Sequence, residues 1–175
     1  HPTQALLDLY TIYSKFGKLS SLKILVAGDL LYGRTARSLL QGLSLFKGNT
    51  IYLLSPKKLR MDSNLIKNLK NKLKIIEIET EKQIPTDCNV WYWTRIQKER
   101  IKSKALQKSI KNAFIITKKL LTDKGNKKMI IMHPLPRVGE IATEVDTDPR
   151  AYYFQQAKNG LYIRMALLAL ILKKI

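Results

Sequence analysis

The feature that most limits what this chain can become is a regular alternation of apolar runs. Residues 22–27, 50–54 and 74–78 are short and rich in β-branched or large apolar side chains. The stretches between them carry apolar residues at helical spacing. Further runs follow at 89–93 and 129–132. Continuous apolar runs suit strands covered on both faces, and β-α-β alternation implies parallel pairing with right-handed crossovers. The chain is therefore read as one α/β domain over residues 1–175: an open parallel sheet with helices on both faces, Rossmann-like and doubly wound. Its 175 residues, 45% of them hydrophobic, are enough for that core. No internal repeat, low-complexity tract or linker divides it.

Helix boundaries follow from punctuation. Pro2 suits a helix start, Leu6, Leu7, Tyr10, Tyr13 and Phe16 recur at helical spacing, and Gly17 closes the segment. A second helix opens at Gly33-Arg34-Thr35 and runs through Leu39, Leu40, Leu43 and Phe46. Ser63 reads as the cap of a third through Leu65, Ile66, Leu69 and Leu73. Residues 160–172 form a strongly apolar helix whose hydrophobic face is wider than one domain needs.

Three loops carry the chemistry, each at the carboxyl end of an expected strand, where open α/β sheets bind ligands. After 129–132 comes His133-Pro134-Leu135-Pro136-Arg137. Its two prolines stop the strand and make a rigid loop that displays the carbonyls of Pro134 and Leu135, with Leu135–Pro136 a candidate cis bond. The loop after 22–27 leads to Arg34 at a helix start, where the dipole disfavours a cation, so a ligand carboxylate is the better reason for it. After 89–93, Arg95 and Gln97 stand two apart and project to one side in extended backbone. They read either as a solvated loop or as a carboxylate and amine site. No GxGxxG fingerprint is present, so a dinucleotide is a weak reading.

A net charge of +19 raises the question of polyanion binding. Of the 32 basic residues 24 are Lys, spread along the chain without interleaved aromatics, which argues against a nucleic-acid platform. The densest stretch, 98–128, reads as solvated surface. A lone Cys88 rules out a disulfide framework and a Cys-based zinc site, and fits a reducing, cytosol-like compartment. No run is long enough to span a bilayer. The start at His1 is read as a missing true N-terminus, which leaves organellar targeting open.

His-Pro-Leu-Pro-Arg-Val-Gly-Glu-Ile-Ala-Thr-Glu-Val-Asp at 133–146, Ala-Tyr-Tyr-Phe-Gln-Gln at 151–156 and His-Pro-Thr-Gln-Ala-Leu-Leu-Asp-Leu at 1–9 together resemble the aspartate carbamoyltransferase catalytic chain. The likeness covers essentially all of this chain but only the second half of a family member. It implies carbamoyl transfer from carbamoyl phosphate to L-aspartate, a step of pyrimidine biosynthesis, without metal or cofactor and without a covalent enzyme intermediate. It further implies that His1 donates to the carbamoyl oxygen, and that Gln4 with the Pro134, Leu135 and Pro136 loop holds the amide. Arg34, Thr35, Arg95 and Gln97 would bind aspartate. By the same likeness, helices at about 1–17 and 156–173 cross to an absent N-terminal carbamoyl-phosphate domain. The whole would be a cytoplasmic homotrimer, with regulatory chains as a further implied partner, and this half alone would be inactive. Leu31 and the lysines Lys102, Lys104 and Lys108 depart from the family pattern. Ornithine carbamoyltransferase would need Cys in place of Pro134 and Ser-Met-Gly where Thr94-Arg95 stands. The alternative from another class is a non-enzymatic basic module binding nucleic acid or another polyanion.

Overall fold

The computed structural model describes residues 1–97 and 114–174. Its strands are β1 (Lys23–Ala27), β2 (Thr50–Leu54), β3 (Lys74–Ile78), β4 (Val90–Trp93) and β5 (Ile130–Met132). They form a five-stranded, all-parallel sheet in the order β3-β2-β1-β4-β5. Five α-helices accompany it among the described residues: α1 (Pro2–Phe16), α2 (Arg34–Leu43), α3 (Ser63–Leu69), α4 (Lys118–Lys124) and α5 (Tyr153–Ile171).

Alternate side chains of each strand serve opposite faces. Ile24, Val26, Ile51, Leu53, Tyr92 and Met132 pack with Ile12 of α1, Leu39 and Leu40 of α2, and Ile66 of α3. Leu25, Ala27, Trp91, Trp93 and Ile131 face the other way, onto Leu121 of α4 and Tyr153 at the start of α5. Both faces of the central strands are thus covered, which is why their sequences show no polar alternation. Helix α1 begins at Pro2, as expected, and ends where the Gly17 N–H bonds the Tyr13 carbonyl at 2.7 Å with φ +66°.

Several boundaries differ from the sequence reading. Asp62, not Ser63, caps α3: its side chain accepts from the Leu65 N–H at 3.0 Å, and Ser63 is the first helical residue. The last turns of α2 and α3 tighten into i→i+3 bonds, Phe46 N–H to Leu43 and Lys72 N–H to Leu69, so Phe46 and Leu73 lie just beyond their helices. β1, β4 and β5 each begin one residue later than read. Helix α5 begins at Tyr153, earlier than its apolar run, because residues 150–152 first run beside β5. There the Ile131 N–H bonds the Arg150 carbonyl and the Tyr152 N–H bonds the Ile131 carbonyl. The charged cluster Lys98, Glu99 and Arg100, like Lys102, Lys104 and Lys108, lies outside the described residues. No helix among the described residues is long and apolar enough to cross a membrane.

The tightest backbone approach in the sheet is at Gly28, which leaves β1 at φ +112°. A Cβ there would sit 2.1 Å from the Thr94 carbonyl oxygen, on the backbone leaving β4. Gly17, at φ +66°, has open space around it. Gly28→Ala therefore lowers stability by at least about 2 kcal/mol, from conformational strain plus clash. Gly17→Ala costs only about 1 kcal/mol. The midpoints and slopes of urea unfolding check both values, and equal losses would contradict the close-approach account.

Candidate active site

β1 and β4 are neighbours in the sheet, but the chain leaves β1 towards β2 and β3 on one side and reaches β5 on the other. Loops therefore diverge at the carboxyl ends of β1 and β4, and such a switch point leaves a crevice. A cleft of about 650 Å³ opens there. Arg34 and Thr35 reach it from the start of α2, and Arg95 and Gln97 from the exit of β4. Pro134, Leu135 and Pro136 reach it from the exit of β5, and His1 and Gln4 from the first turn of α1. The nine residues singled out in the sequence thus line one cleft, although they are spread over more than 130 positions of the chain. Thr3, Tyr32, Thr94 and Arg164 also line it. Arg34 is exposed, with no hydrogen-bond partner among the described residues.

Each loop is held by buried polar groups. Asp29, fully buried, accepts from the Tyr32 N–H at 2.9 Å and more weakly from the Gln97 N–H at 3.4 Å, tying the first two loops together. Thr94 anchors the exit of β4 by donating both its N–H and its hydroxyl to the Ala27 carbonyl, at 2.8 and 3.0 Å.

In the third loop, His133 is buried, and its Nδ1 accepts from the Leu135 N–H at 2.9 Å. The proton must then sit on Nε2, which donates to Glu140 Oε1 at 2.7 Å. Burial alone would push the Glu140 carboxyl up. The bonds from His133 and from the Val138 N–H outweigh that and hold it below its usual range. Farther along, the Arg137 guanidinium pairs with both Asp146 oxygens, and the Tyr153 hydroxyl joins the pair. Between these anchors Leu135 adopts φ +42°, and the Leu135–Pro136 bond is cis. A non-glycine residue at positive φ persists only where its surroundings fix it, and here they do.

Beneath the cleft lies Asp8, with none of its surface exposed. Its Oδ1 accepts from Gln4 Nε2 at 2.8 Å and from Gln156 Nε2 at 2.7 Å, and its Oδ2 from the Tyr92 hydroxyl at 2.9 Å. Gln156 in turn accepts the His133 N–H at 2.7 Å, and Tyr92 bonds the side chain of Thr35. One carboxylate therefore ties α1, α5, β4, the start of α2 and the β5 loop together. Burial pushes its pKa up to about 7, against three bonds that pull it down. The sequence reading passed over Asp8, Tyr92, His133, Glu140 and Gln156 as site residues. The available signal was a polar stripe, Gln4, Asp8 and Thr11, along an otherwise apolar helix, facing Gln156 and Asn159 on another.

The family described as "Aspartate/ornithine carbamoyltransferase, Asp/Orn binding domain" matches residues 20–171. The aspartate carbamoyltransferase catalytic subunit of Alkaliphilus oremlandii is 45% identical over 177 residues, covering 100% of this chain and 53% of that protein. The multifunctional protein CAD of Squalus acanthias is 47% identical over 99% of this chain, which is 8% of its own length. Among solved structures, the catalytic subunit of M. jannaschii aspartate transcarbamoylase superposes with a TM-score of 0.93 at 44% identity, covering 100% of this chain and 58% of that one. Aspartate transcarbamoylase of Trypanosoma cruzi, in complex with N-(phosphonacetyl)-L-aspartic acid, superposes at 0.85 with 38% identity, over 96% and 55% of the two chains. This chain spans about half the length of the single-function relatives and a small part of the multifunctional ones.

A carboxyl whose pKa rises on folding holds its proton more tightly in the folded state. Stability is then lost as pH rises from 3.8, the ordinary value, to about 7. Glu140, Asp146 and Asp148 are held below their ordinary values, so their contributions are fully present above 4.5. Asp8→Asn removes the first effect and keeps an acceptor for the two glutamines. Melting temperature followed against pH should fall by the equivalent of a few kcal/mol across that window in the wild type and stay nearly flat in the variant. Parallel curves would contradict the assignment.

Proposed function

The chain belongs to the aspartate/ornithine carbamoyltransferase family, and on that premise we propose that it is the aspartate-binding half of an aspartate carbamoyltransferase. The observation that carries the reading is the convergence of two arginines, Arg34 and Arg95, with an acceptor-bearing Pro134-Leu135 loop in one cleft. Two guanidinium groups match the two carboxylates of aspartate, and Gln97 helps to orient it beside Thr35. The amine of aspartate attacks the carbonyl carbon of carbamoyl phosphate. His1 donates to the oxygen as negative charge builds on it. Gln4 and the carbonyls of Pro134 and Leu135, set by Pro136, hold the carbamoyl NH₂. The bond from carbon to the phosphate oxygen breaks, and the departing phosphate takes the amine proton. Positioning and preorganised electrostatics supply the acceleration.

Pro134 and Thr94-Arg95 favour aspartate over ornithine as acceptor, and the relatives named above are aspartate enzymes. The outer faces of α1 and α5 are apolar, with Tyr13 53%, Leu161 60%, Met165 58% and Leu168 59% exposed. We assign these faces to contact with an N-terminal carbamoyl-phosphate domain, in keeping with a chain that spans half its relatives. A homotrimer, with regulatory chains where they occur, and a reducing cytoplasmic setting complete the proposal. The buried thiol of Cys88, pushed up to about 12 by burial, is compatible with that compartment.

Formation of N-carbamoyl-L-aspartate tests the reading. The chain alone should give no product, and a mixture with the separately produced N-terminal half should give it. Arg95→Ala in that mixture should lower kcat/KM for aspartate by at least about a hundredfold. A mixture that assembles by gel filtration yet makes no product would overturn the reading.

A further inference from the structure

Gln4 lines the cleft, yet its amide could face it with either edge, presenting a donor or an acceptor. Asp8 removes that freedom. Three donors already point at Asp8, which makes it an acceptor in this arrangement, and its Oδ1 takes Nε2 of Gln4 at 2.8 Å, which leaves Gln4 Oε1 as the acceptor available to a ligand. The same oxygen takes Nε2 of Gln156 at 2.7 Å, which turns Gln156 Oε1 onto the His133 N–H at 2.7 Å. The His133 backbone leads into the Pro134-Leu135-Pro136 bend that lines the cleft. Asp8 and Gln156 are both buried, so neither touches a ligand. Their bonds bring acceptor atoms from α1 and from the β5 loop into one polarity.

We infer that Asp8 is a specificity-determining positioning residue: through Gln4 on one side and Gln156 on the other, it sets the cleft to receive an NH₂ group in preference to an isosteric CH₃. The inference rests on the carbamoyl-transfer reading and deepens it. A site built of acceptors leaves them unpaired when the ligand brings a methyl group, and unpaired buried acceptors are costly. Carbamoyl phosphate and acetyl phosphate differ in that one group, and both transfer to aspartate by the same chemistry, acetyl phosphate giving N-acetyl-aspartate and phosphate.

The experiment compares kcat/KM for the two acyl phosphates in the complete protein, this chain assembled with its N-terminal half. The wild type should prefer carbamoyl phosphate. Asp8→Ala should lower that preference at least about tenfold, chiefly through loss of the carbamoyl reaction, because Gln4 can then turn its amide. Asp8→Asn keeps an acceptor for both glutamines and should retain the preference within about threefold. Gln156→Leu, which releases the His133 turn but leaves Asp8 and Gln4 paired, should lower the preference in the same direction, and it decides the matter if Asp8→Ala does not fold. A purely structural role would depress both reactions equally. An unchanged ratio in folded Asp8→Ala or Gln156→Leu protein overturns the inference while leaving the transferase reading intact. A wild-type assembly that uses neither phosphate overturns both.

Discussion

The fully buried carboxylate of Asp8 is the contact on which the arrangement of the cleft depends. It accepts hydrogen bonds from the helices α1 and α5 and from strand β4. Such a group is expensive to bury unless it is fully hydrogen-bonded, and its three donors satisfy it. Because the donors come from residues 4, 92 and 156, satisfying one side chain brings together parts of the chain that are far apart in sequence. A second buried contact, Asn159 to Thr11 at 2.9 Å, repeats the stitch between α1 and α5 one turn on. These two helices also carry the exposed apolar faces, so the polar seam fixes the orientation of both faces.

The parallel sheet supplies the second constraint. Strand order β3-β2-β1-β4-β5 places the divergence of the chain between β1 and β4, and every loop that reaches the cleft leaves the carboxyl end of a strand or opens a helix beside it. Gly28 allows β1 and β4 to exit close together, with Thr94 bonded directly to Ala27. The arginines on the two exits are thereby brought to the same opening. The rigidity of the third loop has a different origin. His133, Glu140, Arg137 and Asp146 close it from within by charged and backbone hydrogen bonds, and Tyr153 and Gln156 of α5 bond to it, so Leu135 holds its positive φ outside any regular element.

Much of this was legible in the chain itself. Five strands, both ends of α1 and the start of α2 follow from apolar runs, proline and glycine, because those signals act within a few residues of where they stand. Arg34, Arg95 and Gln97 and the Pro134-Leu135-Pro136 loop could be picked out because each follows an apolar run at a strand's carboxyl end. Asp62 caps α3 where the sequence suggests Ser63, since either side chain can cap and only the backbone decides which residue is non-helical. The start of α5 departs from its apolar run because residues 150–152 are held by β5, a long-range contact that local periodicity does not carry.

The sequence by itself determined the fold class and the chemical types gathered for the cleft: two guanidinium groups, two amides, an imidazole, a hydroxyl and a proline-bounded loop. Tertiary structure alone decided that these nine residues line one volume. Asp8 shows why. In the sequence it is one acid in a polar stripe on an amphipathic helix, and nothing local says what that stripe faces. It becomes the centre of the site only when Gln156, 148 positions away, and Tyr92, 84 away, close over it. Hydrogen bonds between distant residues leave no periodic trace in a chain, whereas burial of a strand or a helix face does.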